Sequence, residues 1–293
     1  MSPIKLAGVL GPVTTPFTPS ETPDLVGFAS NIRSHIAHGL QGVLVCGSTG
    51  EAALLDETER AQLVETARAA VPADRLLLMG TGAESTRQCV LRCRDAGARG
   101  VDAVLVVAPH YYGPQMTSDA LRAHYRRVAD ESPVPVALYN IPKYMHFRLE
   151  PDLVAELSMH ENIIGIKDSS GDLALLEGYM QAQGTSFTVL TGNAGQLLPA
   201  LQMGARGGVV AVSLFAAGLC VDVYEGFRTR DLARATAAQE KIKPLATQIV
   251  AGLGVPGVKA AMEEAGLVGG PVRQPLLPLA AAQRKVVQEL MRA

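Results

Sequence analysis

Five short segments of the sequence hold side chains that could act on a carbonyl compound or bind an anion. Each follows an apolar run; they are GSTGE (47–51), PHYY (109–112), YN (139–140), KDSS (167–170) and TGN (191–193). Amines attack carbonyls, phenols and hydroxyls transfer protons, and glycine-flanked turns present N–H groups and hydroxyls to carboxylates. The set therefore indicates covalent chemistry on a carbonyl substrate that carries an anionic group.

Lys167 is the most unusual of these residues. It closes the apolar run IIGIK, where its ammonium form would lose part of its hydration. That loss favours the neutral amine, which is the form that attacks a carbonyl. From this position alone, a surface lysine just beyond a strand end remains the alternative.

Tyr139 and the turn at Ser48 and Thr49 could assist an amine nucleophile. Tyr139 ends the apolar run PVALY, and its phenol could transfer protons, although an aromatic residue at a barrel rim is the alternative. The Ser48-Thr49 turn could hold a carboxylate through hydroxyls and backbone N–H groups. The six histidines and four cysteines show no metal-binding spacing, so we expect no metal and no cofactor.

The elements that must position these residues alternate along the chain. Eight short apolar runs predict β-strands, at 9–17, 42–47, 75–80, 102–109, 135–140, 163–168, 187–192 and 207–212. Several runs are apolar throughout, which is typical of parallel strands buried on both faces. Eight such units in about 220 residues predict an α/β protein, a closed (β/α)8 TIM barrel, with an open doubly wound sheet as the alternative.

Helical patterns lie between the strands and beyond them. They cover 56–71, 84–98, 117–131 and 150–159, and after residue 222 they cover 231–250, 255–266 and 279–292. Asp56 followed by Glu59 predicts a capped helix start. We predict a TIM barrel over 1–222 and a C-terminal helical extension over 223–293, within one structural unit. In a TIM barrel the active site lies at the C-terminal ends of the strands, which is where the five segments fall.

Composition excludes several classes of protein. The 293 residues are 48% hydrophobic and 18% charged, which is enough apolar material for a large core and argues against disorder. A net charge of −2, few aromatic residues and no tryptophan argue against a nucleic-acid partner. Cys89 and Cys93 are expected to be small buried side chains. We expect a cytoplasmic protein, because there is no signal-peptide pattern and no membrane-spanning apolar run.

The motifs together resemble the dihydrodipicolinate synthase / N-acetylneuraminate lyase superfamily. The resemblance runs through TPF (15–17), GSTGE (47–51), YY (111–112), LYNIP (138–142), GIKDSSGD (165–172), TGN (191–193) and the late PGVKAAMEEAG and GGPVRQPLLPL. It implies a class I, Schiff-base-forming lyase with pyruvate as product or donor. It also implies a TIM barrel, no cofactor and a homotetramer built as a dimer of dimers.

The resemblance implies a role for each residue of the central site. Lys167 matches the Schiff-base lysine, and Tyr139 matches the proton-shuttling tyrosine. Ser48 would relay protons to Tyr139, and Thr49 would hold the carboxylate of the 2-oxo acid. Tyr111 matches a tyrosine that one subunit lends to the active site of its neighbour, with Tyr112 as the competing assignment.

The same resemblance extends to the pocket wall. Gly192 and Val209 match positions whose backbone lines the pocket, and Tyr144 occupies a substrate-binding position. Dihydrodipicolinate synthases carry an arginine five residues after the tyrosine, where this chain has Tyr144. The segment KYMHF (143–147) is expected to line the acceptor side. Lys143 and Arg148 are possible carboxylate partners, but we interpret both as solvent-facing.

Within the superfamily the sequence is most similar to 4-hydroxy-2-oxoglutarate aldolase, on RLLLMGTGAEST (75–86), HYRRVADESPVPV (124–136) and the C-terminal tail. That enzyme cleaves its substrate to pyruvate and glyoxylate. Three alternatives stay open within the class. One is 4-hydroxy-tetrahydrodipicolinate synthase, which joins pyruvate and aspartate semialdehyde; the other two are a 2-keto-3-deoxy sugar-acid aldolase and a 2-keto-3-deoxy sugar-acid dehydratase. A non-catalytic 2-oxo-acid-binding homologue and a metal-dependent class II aldolase are alternatives of other classes.

Overall fold

Eight short strands form one closed parallel barrel in the computed structural model, which describes residues 5–292. The strands are β1 (Gly8–Pro12), β2 (Gly42–Val45), β3 (Leu76–Gly80), β4 (Ala103–Val107), β5 (Val136–Asn140), β6 (Ile163–Asp168), β7 (Thr188–Thr191) and β8 (Gly207–Val209). Each strand pairs with the next along the chain, and β8 pairs with β1 to close the barrel. The predicted (β/α)8 barrel is confirmed, and the open-sheet alternative is wrong.

Helices connect the strands and continue beyond the last one. They are α1 (Leu25–Ala37), α2 (Glu57–Ala70), α3 (Thr86–Ala98), α4 (Ser118–Glu131), α5 (Pro142–Met145), α6 (Pro151–Leu157), α7 (Leu173–Met180), α8 (Leu197–Gln202), α9 (Ala217–Arg228), α10 (Leu232–Pro244), α11 (Gly254–Glu264) and α12 (Ala281–Arg292). A π-helical segment, Leu245–Leu253, joins α10 to α11. The predicted capping box is confirmed, because Asp56 and Glu59 each accept the other's backbone N–H.

The first strand is shorter than the apolar run that predicts it. The run extends to Phe17, but β1 ends at Pro12 and Val13 donates a last N–H to Leu44. Beyond that point Thr15 turns its hydroxyl to the carbonyl of Gly50, 2.8 Å away, and leaves the strand ladder. The second half of the run therefore supports the loop after β2 instead of lengthening the barrel.

The C-terminal helices are part of the core. Ile242, Ile249, Val258 and Met262 are buried, and α9 spans residue 222, where we divide barrel from extension. That division stays a prediction. The stretch Leu232–Glu264 is long and apolar enough to cross a membrane by length and composition alone, and half of its most apolar window is buried in the protein. Core helices of soluble proteins pass the same test, so this stretch is weak evidence for a membrane span.

Candidate active site

Lys167 and Tyr139 lie side by side at the C-terminal ends of β6 and β5. The two strands pair with Tyr139 opposite Lys167, and the Lys167 Nζ lies 4.3 Å from the centre of the Tyr139 ring. Both side chains are 5% exposed. The strand register alone therefore brings the predicted nucleophile and the predicted proton carrier into contact, with little of either residue exposed to solvent.

A cavity of about 310 Å³ opens above these two residues. Seven of the eight predicted site residues line it: Ser48, Thr49, Tyr139, Tyr144, Lys167, Gly192 and Val209. No aspartate or glutamate belongs to the lining formed by the described part of the chain. The cavity can therefore hold an anionic substrate without a competing carboxylate.

The turn after β2 forms one wall. Ser48–Gly50 is a short 3-10 helix, and the carbonyl of Gly50 accepts the Thr15 hydroxyl. A Cβ atom on Gly50 would lie 2.9 Å from the carbonyl oxygen of Val13, so this close approach requires glycine. Within residues 5–292 the hydroxyls of Ser48 and Thr49 take part in no hydrogen bond, which leaves them free for a ligand.

Gly192 makes room for the lysine. A Cβ atom at this position would lie 1.9 Å from the Ser169 Oγ and 3.0 Å from the Lys167 Cε. The Gly192 N–H donates to the carbonyl of Asp168 at 2.6 Å, which holds β7 against β6. Any larger residue would push on the lysine chain itself.

Asp168 fixes the two strand ends from the opposite face of the sheet. Its carboxylate accepts the Asn140 side-chain amide and the Ser170 hydroxyl, each at 2.7 Å. Asn140 also accepts the Leu149 N–H at 2.9 Å. Burial raises the pKa of Asp168, and hydrogen bonds from Ser170 and Asn140 oppose that shift. These residues stand at predicted strand ends, but the sequence indicates no role for them.

The expectation for residues 143–147 needs correction. Only Lys143 and Tyr144 line the cavity. Met145 is fully buried in the core, where its sulfur accepts the N–H of Ile141 at 3.3 Å. His146 has a left-handed backbone with φ of 63° and ends α5, so the chain turns away from the cavity after Tyr144. Burial, with a smaller contribution from Tyr139, raises the pKa of Tyr144.

Of the two residues expected to face solvent, Arg148 does so, whereas Lys143 is exposed but also lines the cavity. Lys143 is exposed but lines the cavity mouth, 3.5 Å from the carbonyl of Ala251 and 5.8 Å from the Tyr144 ring centre. Arg148 pairs with Glu150 at 3.1 Å and is not part of the lining. Lys143 is thus the second cation of the cavity.

Sequence reasoning missed one entire wall. The π-helical segment and the start of α11 line the cavity through Ala246, Val250, Ala251, Gly254, Val255 and Val258. Most of this wall is hydrocarbon. A signal existed in the run QIVAGLGVPGV, where three glycines interrupt an apolar helix and Gly254 has φ of 64°. π-Helical turns are frequent at functional sites.

Tyr111 is the one predicted site residue outside the cavity. Tyr111 and Tyr112 are 78% and 64% exposed and contact each other edge to face, with ring centres 5.0 Å apart. Glu84 accepts the backbone N–H of Tyr111 at 2.8 Å and fixes the loop. The assignment of either tyrosine to a neighbouring subunit's site stays a prediction.

Comparison with known proteins agrees with this geometry. The dihydrodipicolinate synthetase family matches residues 5–293. A 4-hydroxy-tetrahydrodipicolinate synthase of Methanoculleus marisnigri is 34% identical over 97% of this chain and 98% of its own length. The dihydrodipicolinate synthase of Bacillus anthracis superposes with a TM-score of 0.94 at 28% identity, covering 99% of both chains.

A further solved structure has pyruvate bound. The prophage protein YagE of Escherichia coli K12, of the same family and in complex with pyruvate, superposes with a TM-score of 0.92 at 29% identity over 99% of this chain and 98% of YagE. The more specific likeness to 4-hydroxy-2-oxoglutarate aldolase stays a prediction. The chain belongs to the dihydrodipicolinate synthetase family, and it is a class I, pyruvate-type carbon–carbon lyase.

Proposed function

We propose that this enzyme cleaves 4-hydroxy-2-oxoglutarate to pyruvate and glyoxylate through a Schiff base on Lys167. The observation that carries the proposal is the charge of the cavity: two lysines, Lys167 and Lys143, and no acidic residue in the described lining. The substrate carries a carboxylate at each end. In our assignment Ser48 and Thr49 hold the first carboxylate and Lys143 attracts the second.

The reaction needs only groups of the chain. The Lys167 amine attacks the C2 ketone, and loss of water gives an iminium ion. Removal of the C4 hydroxyl proton breaks the C3–C4 bond; glyoxylate leaves, and the electron pair moves into the enamine. Protonation of C3 and addition of water then release pyruvate and regenerate the amine. The water lost in the first half returns in the second.

Tyr139 is the proposed proton carrier. Its ring lies against the Lys167 Nζ, so its hydroxyl is near the carbon atoms that change bonding. Ser48 is the proposed relay between Tyr139 and solvent. Gly192 and Val209 border the substrate through their backbone, and Tyr144 borders the acceptor half.

The names of the curated relatives favour a second reaction, condensation of pyruvate with aspartate semialdehyde. Aspartate semialdehyde carries an ammonium group beside its carboxylate. That ammonium would meet Lys143 in a lining without a compensating acid, and no arginine lines the described cavity to take the distal carboxylate. Glyoxylate carries only the negative charge, so the cavity suits it better.

The apolar wall argues against a sugar acid. Val250, Val255 and Val258 offer hydrocarbon where the hydroxyls of a 2-keto-3-deoxy sugar acid would need partners. Each polar group buried without a hydrogen bond weakens binding by about 1–3 kcal/mol.

We also propose a homotetramer in which Tyr111, or Tyr112 in its place, completes the site of a neighbouring subunit, because both rings are exposed on one fixed loop.

The test is a panel assay in both directions. With pyruvate, we expect kcat/KM for glyoxylate to exceed that for aspartate semialdehyde and for aldoses by at least about a hundredfold. Lys143→Ala should raise KM for 4-hydroxy-2-oxoglutarate about tenfold, whereas the control Arg148→Ala should leave it unchanged. A preference for aspartate semialdehyde would replace this proposal with the synthase reaction.

A further inference from the structure

Glu51 closes the turn that holds Ser48 and Thr49, and it does so in an unfavourable backbone conformation. Its N–H donates to the carbonyl of Ser48 at 3.2 Å, and its φ and ψ of 58° and 35° lie in the left-handed region. Glycine adopts that region without strain, and a side chain there is uncommon. A glutamate at this position indicates that the interactions of its carboxylate compensate for the unfavourable backbone.

That carboxylate makes a fully buried ion pair with the C-terminal extension. The Lys259 Nζ lies 2.5 Å from the Glu51 Oε1, and the two side chains are 2% and 0% exposed. The other oxygen accepts the backbone N–H of Arg273 at 2.9 Å, and Lys259 also donates to the carbonyl of Pro271 at 2.7 Å. Burial lowers the pKa of Lys259, and Glu51 opposes that shift.

The two ends of the pair belong to two walls of the cavity. Glu51 directly follows the Ser48–Gly50 turn, and Lys259 directly follows Val258, which lines the cavity from α11. A change in the length or charge of either side chain would therefore move the turn relative to the opposite wall.

The surrounding chain is built tightly around the pair. A Cβ atom on Gly269 would lie 2.3 Å from the Lys259 carbonyl oxygen, and one on Gly270, where φ is 69°, would lie 2.9 Å from the Phe17 carbonyl oxygen. The Phe17 ring stacks under both cations, with centre distances of 4.7 Å to the Lys259 Nζ and 4.2 Å to the Arg273 guanidinium. Arg273 is itself anchored by Glu59 at 2.5 Å.

The geometry points to Glu51 and Lys259 as a positioning pair that sets the carboxylate-binding turn at Ser48 and Thr49 relative to Lys167. Neither residue lines the cavity, so the pair acts through the turn and does not touch the substrate. The inference rests on the proposed function in one respect: the 2-oxo acid must bind its carboxylate at that turn while its ketone reacts with Lys167.

Comparing pyruvate with its methyl ester separates this role from a purely structural one. Adduct formation on Lys167 is trapped with borohydride over a range of pyruvate and of methyl pyruvate, whose ester lacks the carboxylate charge. The variants are Glu51→Gln, Glu51→Asp and the double variant Glu51→Gln/Lys259→Met, which leaves no unpaired buried charge and protects folding. Glu263→Gln, which removes an exposed ion pair from the same helix, is the control.

We expect the pair variants to raise the half-saturating pyruvate concentration about tenfold and that of methyl pyruvate less than about twofold. Glu263→Gln should change neither. If the ratio of the half-saturating concentrations of pyruvate and methyl pyruvate is the same in the double variant as in the wild type, the positioning role is overturned, whatever the variant's melting temperature. Wild-type protein that forms no adduct with either ketone would refute the proposed function itself, which is a different result from an adduct with an unchanged ratio.

Discussion

The protein buries two lysines with nearly the same exposure and opposite surroundings. Lys167 and Lys259 are 5% and 2% exposed, and each lies over an aromatic ring, Tyr139 or Phe17. Lys259 has the Glu51 carboxylate at 2.5 Å, whereas the described lining around Lys167 contains no acid. Glu51 opposes the lowering of the Lys259 pKa by burial and holds this side chain in place. Lys167 has no such carboxylate partner in the described lining, and in our proposal its amine attacks the ketone.

Replacing each lysine by methionine tests this contrast most strongly. Lys167→Met should lower kcat by at least about 10⁴-fold and abolish the borohydride-trapped adduct, because no other amine replaces the nucleophile. Its melting temperature should not fall, since no carboxylate loses a partner. Lys259→Met should instead destabilise the fold by about 3–5 kcal/mol, because Glu51 is left buried and uncompensated.

Denaturant unfolding and mass spectrometry of the trapped protein measure both effects. The assignment of different roles to Lys167 and Lys259 is wrong if Lys167→Met is the less stable variant. It is also wrong if Lys259→Met forms no adduct at saturating pyruvate while still folded.

Tyr139→Phe tests the second proposed member of the site, beside Lys167. The ring that packs on the Lys167 Nζ remains, and only the hydroxyl is lost. If the phenol transfers protons, kcat should fall about 10²–10⁴-fold while the melting temperature changes little. Pre-steady-state adduct formation is the measurement. A variant with normal kinetics would mean that Tyr139 serves only as a packing surface.

His124 is a third buried basic side chain to compare with the two lysines, and it lies outside the cavity. It is 5% exposed; its Nδ1 bonds to the Thr86 hydroxyl at 2.9 Å, and its Nε2 has no partner among the described residues. Burial lowers the pKa of His124 to about 4, from an ordinary value of 6.5. The folded state therefore binds fewer protons than the unfolded chain between these two values. Stability present above pH 6.5 should be lost as the pH falls toward 4.

The loss should be on the order of 3 kcal/mol for this one group. His124→Asn, which keeps a polar partner for Thr86, should flatten the fall of unfolding free energy between pH 6.5 and 4. His146→Asn, an exposed control whose left-handed backbone suits asparagine, should not. Equal pH profiles for His124→Asn and the wild type would exclude this histidine as the cause.

Much of the fold and part of the site follow from local sequence patterns. Apolar runs of four to six residues mark buried parallel strands, and a lysine and a tyrosine that close neighbouring strands must meet at one rim. The predicted first strand is too long, because the apolar run continues through Phe17. In the structure the hydrogen bond from Thr15 to Gly50 takes the chain out of the barrel after β1. Apolar residues alone do not mark that exit.

The acceptor half of the cavity could not be predicted in the same way. Residues 143–147 read as one bulky segment, but α5 and the left-handed His146 send Met145 into the core and leave Lys143 at the mouth. The direction of each side chain depends on one short helix and its end. The wall from Ala246 to Val258 reads as a helical appendage, because no local pattern says which surface a terminal helix covers.

Local sequence patterns predict the barrel and place Lys167 and Tyr139 at the ends of neighbouring strands, since strand periodicity and position along a strand are properties of a few adjacent residues. Which of the two buried lysines has a carboxylate partner follows only from the folded structure. Glu51 and Arg273 are 222 residues apart, and the pair of Glu51 with Lys259 forms when the last helices fold back onto the first loops. Long-range packing therefore decides which charged groups surround each buried lysine: a carboxylate contacts Lys259, and none lines the described cavity at Lys167.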